Sequence, residues 1–320
     1  MKNSADLLNE KIVAMQSPIV VGLDPVLDEI PMCYKQGLAE SKNKFETIAD
    51  ILFSFNKDII DIIYKYVPAI KPQMAFYEMY GSSGIIAVEK TVEYAKSKGM
   101  VIIEDGKRND IGNTAEAYAK AYLGYVDVGN GEKSKSFDVD FLTVSPYLGS
   151  DSTEPFIKQC IENNKGVFVL VKTSNPSSAE IQDIVGPDGT TICESVAQYV
   201  AQQAERTLGE GGYSSVGAVV GATFPEEAEK LREIMPKSIF LVPGYGAQGG
   251  TAKDIVNCFN NDGLGAIINS SRGIIFSYKK KYSKEECTKE QYMECVEESV
   301  KKMQQDIFSA LKDAEKLPRI

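Results

Sequence analysis

Residues 99–114 read GMVIIEDGKRNDIGNT. An apolar run at 100–103 passes straight into Asp105, Lys107, Arg108 and Asp110, and a helix begins after them. A strand with charge gathered at its far end sets the pattern for the chain. Seven more short β-branched runs lie at 19–23, 67–70, 141–144, 166–171, 216–220, 239–242 and 266–268. Most are apolar throughout, as strands buried on both faces are. Helical spacing fills the gaps: Ile48, Ile51, Leu52, Phe55, Ile59, Ile62 and Ile63 within 44–66, and similar patterns at 85–97 and 195–207. Strand then helix, repeated eightfold, predicts an α/β chain folded as a (β/α)8 TIM barrel. A doubly wound sheet is the competing architecture, and the chemistry of the strand ends separates the two better than alternation does.

At 320 residues and 43% hydrophobic, the chain can bury a substantial core, and one domain spanning 1–320 is expected, with an N-terminal helix. Residues 278–320 place Met293, Val296, Val300, Met303, Ile307 and Leu311 at helical spacing, which predicts one or two covering helices. A net charge of −10 leaves no basic field for nucleic acid or an anionic membrane surface. The opening MKNSADLLNEKIVAMQS has acids and no sustained apolar core, and no stretch approaches the roughly 20 apolar residues of a membrane span; a cytoplasmic location is expected. Six cysteines without a C-x-x-C pair indicate neither a disulfide framework nor a zinc knuckle. The chain has no histidine, so Ser-His-Asp, Cys-His and H-E-x-x-H sites are excluded. Acid–base work falls to Lys, Asp, Glu, Tyr or Cys.

In a barrel the active site lies at the C-terminal strand ends. Those ends read LDP, KPQ, EDGKRND, SPY, KTSNP, PGYGAQGG and NSSRG, after every strand but the sixth. Asp105 and Lys107, two apart, share a side if strand geometry persists, and Lys71 on the neighbouring strand can reach them. With Asp110 they make an alternating Lys, Asp, Lys, Asp cluster in which each charge keeps its neighbours ionised. A rim salt-bridge network explains a lone D-x-K-x-x-D equally well; the anion-type loops across the mouth tip the balance to catalysis. Those loops hold Pro243, the glycines around Gln248, Ser271 and Arg272, where backbone amides and a guanidinium can meet a phosphate. Ser174 in KTSNP suits the edge of a heterocycle or an ordinary turn, and Asp24 suits a sugar hydroxyl or a helix cap.

Taken together, IIEDGKRNDIGNTA, LDP, KPQMAFYE, VKTSNP and PGYGAQGG resemble the orotidine 5′-phosphate decarboxylase family, in its longer bacterial and protozoan branch. The resemblance runs in order from about residue 19 to 275. It implies decarboxylation of orotidine 5′-phosphate to UMP and CO2 without cofactor or metal. Lys107 would protonate C6, with Lys71, Asp105 and Asp110 completing a charged tetrad. Asp110 and Thr114 would reach into the neighbouring subunit's site, making a homodimer. Asp24 would hold the ribose, Ser174 the pyrimidine edge, and Pro243, Gln248, Ser271 and Arg272 the phosphate, under a lid formed by PGYGAQGG. Gln73 stands where some relatives have Asn, beside the ribose.

Three other readings use the same residues. A magnesium-dependent sugar-phosphate decarboxylase or aldolase also employs D-x-K-x-x-D. A non-catalytic barrel would bind UMP without turnover. A Schiff-base aldolase needs a lysine of lowered pKa, which flanking carboxylates oppose.

Overall fold

The computed structural model describes residues 2–222, 225–246 and 249–319. Eight parallel strands close a barrel in chain order: Ile19–Leu23, Ala69–Pro72, Val101–Arg108, Phe141–Val144, Gly166–Lys172, Ser214–Val220, Ser238–Val242 and Ala266–Ser270. The eighth pairs with the first, Ile268 against Ile19 and Ser270 against Val21, so the doubly wound sheet is excluded. Four strands run further at their C-terminal ends than their apolar runs predict, among them the fifth, to Lys172, and the eighth, to Ser270. The second extends through Lys71 to Pro72 and the third through Lys107 to Arg108, carrying polar residues into the sheet itself.

Alternation along the strands sorts the apolar side chains into two clusters. Val20, Ala69, Val101, Ile103, Phe141, Phe168, Ile239, Leu241 and Ile267 fill the barrel. Val21, Ile70, Ile102, Leu142, Val169, Phe240 and Ile268 face the helices. Those helices are Lys44–Ile63, Gly81–Ser97, Gly112–Leu123, Ser150–Asn163, Ile192–Ala204 and Pro225–Ile234. After the seventh strand the described residues form only a single 3-10 turn, Val256–Cys258. The run of Asn260, Asn261, Asp262 and Gly263 that follows favours turns over helix, so the strict strand–helix alternation lapses there.

The helix Ser4–Met15 closes the N-terminal end of the barrel by adding Ala5, Leu8 and Ile12 to the interior cluster. Leu8 and Ile12 are fully buried, which stabilises by about 1.5–3 kcal/mol each. Asn3 and Asp6 form its capping box, and Asp6 also accepts from the N–H groups of Glu210 (3.0 Å) and Gly211 (2.8 Å). Opposite in sequence, Lys289–Asp313 forms a covering helix that buries Tyr292, Val296, Val300, Met303, Ile307 and Leu311. A small antiparallel hairpin, Val126–Gly129 with Glu132–Ser134, projects before the fourth strand. Its turn places Gly129, Asn130 and Gly131 at positive φ. No helix among the described residues is long and apolar enough to cross a membrane.

Candidate active site

The C-terminal mouth of the barrel is organised around one carboxylate. Asp105 Oδ2 accepts from Lys71 Nζ at 2.7 Å and from Gln73 Nε2 at 2.9 Å. Its Oδ1 accepts from Lys107 Nζ at 2.6 Å and from the Thr143 hydroxyl at 3.0 Å. Two ammoniums and two neutral donors therefore share one carboxylate, at the junction of the second, third and fourth strands. Burial would raise the Asp105 carboxyl, but Lys71 and Lys107 outweigh it and hold it well below the usual carboxylate range. Burial would likewise lower Lys71, and Asp105, Asp24 and Glu104 overcome that, so its pKa lies above the ordinary lysine value.

The two lysines are held differently. Lys71 is buried, whereas the Lys107 side chain is 48% exposed and faces the mouth. Lys107 has φ 45°, a left-handed conformation that costs a non-glycine residue of order 1–3 kcal/mol. The ladder to the fourth strand slips register at this point, between Glu104 and Arg108. Thr143 holds the distortion in place: its hydroxyl accepts from the Lys107 backbone N–H at 2.9 Å while donating to Asp105. The Asp105–Lys107 pairing expected from simple alternation is thus reached through a bulge, with the backbone angle fixed by a residue on the next strand.

Other predicted residues ring this centre. Asp24, after the first strand, keeps Oδ1 buried with no hydrogen-bond partner among the described residues, a free acceptor. Gln73 turns to Asp105. Asp110 lies in the turn before the helix Gly112–Leu123, where its carboxylate accepts from the N–H of Ile111 at 2.8 Å and meets neither lysine of its own chain. Thr114 is exposed on that helix. Ser174, two residues past the end of the fifth strand, lies against the end of the sixth, where a Cβ added to Gly221 would fall 3.0 Å from the serine Cβ.

On the far side, the seventh-strand loop curls on itself. Gly246 N–H donates to Gly250 O (2.8 Å), and Gly250 N–H to Gly244 O (3.2 Å). Gly244, Gly246 and Gly249 have positive φ. The half-buried Pro243 accepts from Ala222 N–H at 2.9 Å; Gln248 lies outside the described residues. Ser271 stands at the N-terminal boundary of the short helix Arg272–Ile275 without a side-chain capping hydrogen bond, and Arg272 is exposed at the helix start. The first and eighth strand ends approach so closely that a Cβ at Gly22 would fall 1.9 Å from Ser271 Oγ. Behind the glycine loop a cavity of about 1110 Å³ separates it from the covering helix, and neither lysine nor Asp105 lines it.

One group escapes the sequence reading, Thr143, and another, Glu104, enters it only as a carboxylate that could serve a magnesium ion in the alternative reading. Thr143 carries no motif, and only its register opposite the third strand reveals its role. Glu104 is fully buried, and both its oxygens lack a hydrogen-bond partner among the described residues. No cluster of three carboxylate or thiol groups suited to a metal ion is found among the described residues.

Comparison with known proteins gives one consistent result. The profile of the Orotidine 5′-phosphate decarboxylase / HUMPS family matches residues 19–287. An orotidine 5′-phosphate decarboxylase of Rhodopirellula baltica is 45% identical over 281 residues, 88% of this chain and 90% of that protein. One of Caldicellulosiruptor bescii is 44% identical over 280 residues, covering 87% and 91%. The structure of Leishmania donovani OMP decarboxylase superposes with a TM-score of 0.71 at 29% identity, over 96% of this chain and 98% of that one. With a closed eight-stranded barrel, the D-x-K-x-x-D strand end and these relatives, the chain belongs to the orotidine 5′-phosphate decarboxylase family of carboxy-lyases.

Proposed function

We propose that this chain converts orotidine 5′-phosphate to UMP and CO2, the last step of de novo pyrimidine biosynthesis, by metal-free electrostatic catalysis. The observation that carries the reading is the Asp105 carboxylate clasped between a buried Lys71 and an exposed Lys107. Breaking the bond between C6 and the carboxylate leaves an electron pair on C6 with no ring position to delocalise it. A fixed ammonium beside C6 stabilises that charge without reorganising, and Lys107 Nζ then gives C6 a proton. Both Asp105 oxygens are already taken by four donors. That occupancy favours this route over a magnesium-dependent sugar-phosphate reaction, which needs free carboxylate oxygens.

The remaining assignments follow the mouth. Asp24, with its unpartnered buried oxygen, holds the ribose hydroxyls, joined by Gln73. Ser174 meets the pyrimidine edge. Pro243, Gln248, Ser271 and Arg272 take the phosphate, whose binding energy, remote from C6, drives closure of the 243–250 loop. The active unit is a homodimer in which Asp110 and Thr114 serve the partner's site. Supporting this, Asp110 meets neither lysine of its own chain, and Ile111, Tyr118, Tyr147 and Leu148 are exposed on the two neighbouring loop–helix units beside it. Six cysteines outside any disulfide suit the reducing cytoplasm, where we place the reaction.

The test is the ultraviolet absorbance of orotidine 5′-phosphate mixed with the chain, chelator present, beside Lys107→Ala. Conversion of the orotate chromophore to that of UMP, abolished in the variant, is the expected result. An unchanged spectrum despite tight UMP binding would leave a nucleotide-binding barrel instead.

A further inference from the structure

Lys172 ends the fifth strand and is 0% exposed, an unusual place for an ammonium. Its Nζ pairs with Asp183, just past the short helix Ala179–Gln182, and with Glu227 at 2.9 Å, on the helix that follows the sixth strand. One buried cation thus joins two loop–helix units. The segment between Lys172 and Asp183 is closed a second time by Thr173, whose N–H donates to Gln182 Oε1 (3.0 Å) and whose hydroxyl accepts from Gln182 Nε2 (2.8 Å). The Lys172 carbonyl accepts from Gly221 N–H at 2.9 Å, and Gly221 in turn has Ser174 directly against it. Ser174 therefore sits at the crossing of the two units that Lys172 ties together.

We infer that Lys172 is a positioning residue for recognition of the pyrimidine. It touches no substrate; it fixes the place of Ser174 by bracing the 173–183 segment through Asp183 and anchoring that brace on Glu227. The desolvation of a fully buried ammonium is offset by two carboxylates, each about two-fifths exposed; the hydrogen bond to Asp183 is directional and holds one loop geometry, while Glu227 adds its charge at 2.9 Å. A hydrophobic residue of similar length fills the same space without the brace. The inference rests on the reading above that Ser174 meets the base.

The experiment compares affinities for UMP and for ribose 5-phosphate, which keeps the phosphate and ribose but lacks the base, in the full chain and in Lys172→Met, Asp183→Asn and Ser174→Ala. Loss of one well-placed hydrogen bond to the base weakens UMP about ten-fold. Lys172→Met is expected to do so while ribose 5-phosphate binding changes by less than about two-fold. Asp183→Asn, which keeps the lysine paired with Glu227, is expected to move the same ratio in the same direction, and it supplies the answer if Lys172→Met does not fold. A merely structural lysine would weaken both ligands in parallel, or lower the melting temperature alone; either outcome overturns the inference. If Ser174→Ala shifts the ratio and neither brace variant does, the brace is refuted and the base reading stands. If Ser174→Ala leaves the ratio unchanged, the base reading fails and takes the inference with it.

Discussion

Glu104 is a carboxyl that its surroundings hold far from ordinary carboxylate behaviour, and Glu104→Gln tests the account of those surroundings. Val101 and Ile103 point into the barrel and Ile102 to the helices, so alternation sends Asp105 to the mouth and Glu104 into the helix layer. There burial, and next the charge of Asp105, push the Glu104 carboxyl up to about 8 from an ordinary 4.5, with Lys71 and Arg108 only partly opposing. A raised acid pKa means that the folded chain keeps a proton the unfolded chain has lost. The favourable contribution is complete below pH 4.5 and disappears as pH rises through 8. At about 1.4 kcal/mol per pH unit, the unfolding free energy falls by several kcal/mol between about pH 5 and pH 8 from this group. Glutamine keeps the shape and cannot titrate. Urea unfolding of both proteins, followed by circular dichroism without ligand and at one protein concentration, therefore yields a stability difference that shifts toward the variant by that amount across the window. A difference that stays constant to within about 0.5 kcal/mol from pH 5 to pH 8 would show that Glu104 titrates normally and would refute the reasoning.

Three further perturbations probe the cluster itself. Asp105→Asn removes the carboxylate that Lys71 and Lys107 both pair with, so kcat is expected to fall by at least about 10²–10³-fold, with stability lower by about 3–5 kcal/mol; near wild-type turnover would remove Asp105 from the mechanism. Thr143→Val deletes both the acceptor for the Lys107 N–H and a donor to Asp105. A kcat loss of about ten-fold with little change in UMP affinity is expected, and a variant that binds UMP poorly but turns over normally would contradict the positioning role. Mixing inactive Asp110→Ala with inactive Lys71→Ala tests the shared sites: random re-pairing leaves one intact site in half the dimers and restores about a quarter of wild-type activity. A mixture that remains inactive, with sedimentation showing that mixed dimers form, would confine Asp110 to its own chain.

The barrel was legible because its strands are buried on both faces and its helices on one. Apolar runs such as 141–144 and the spacing from Ile48 to Ile63 are direct consequences of that burial. The same logic explains what was missed. Lys71, Pro72, Lys107 and Arg108 belong to strands, yet polar residues at a barrel mouth carry no strand signal, so both apolar runs end early. The hairpin at 126–134 is exposed, so no apolar run marks it. Its signal is the GNG of residues 129–131, which favours positive φ, and so tight a cue is easily read as plain loop.

The charged cluster divides along a similar line. Spacing was enough to bring Lys71, Asp105 and Lys107 together, because neighbouring strands and alternate residues constrain them strongly. It could not show that Lys107 reaches Asp105 through a left-handed bulge, since that conformation is stabilised by Thr143, 36 residues away in sequence and adjacent only across the sheet. Asp110 exposes the remaining gap. It stands three residues from Lys107, yet the strand has ended by then and the turn directs its carboxylate to the N–H of Ile111. Sequence distance therefore overstates its closeness to the lysines of its own chain. An acid that makes no ion pair with those lysines, beside exposed Ile111 and Tyr118, is what a site completed by a second copy requires, and for that reason the mixed-dimer experiment bears more directly on this residue than any single substitution.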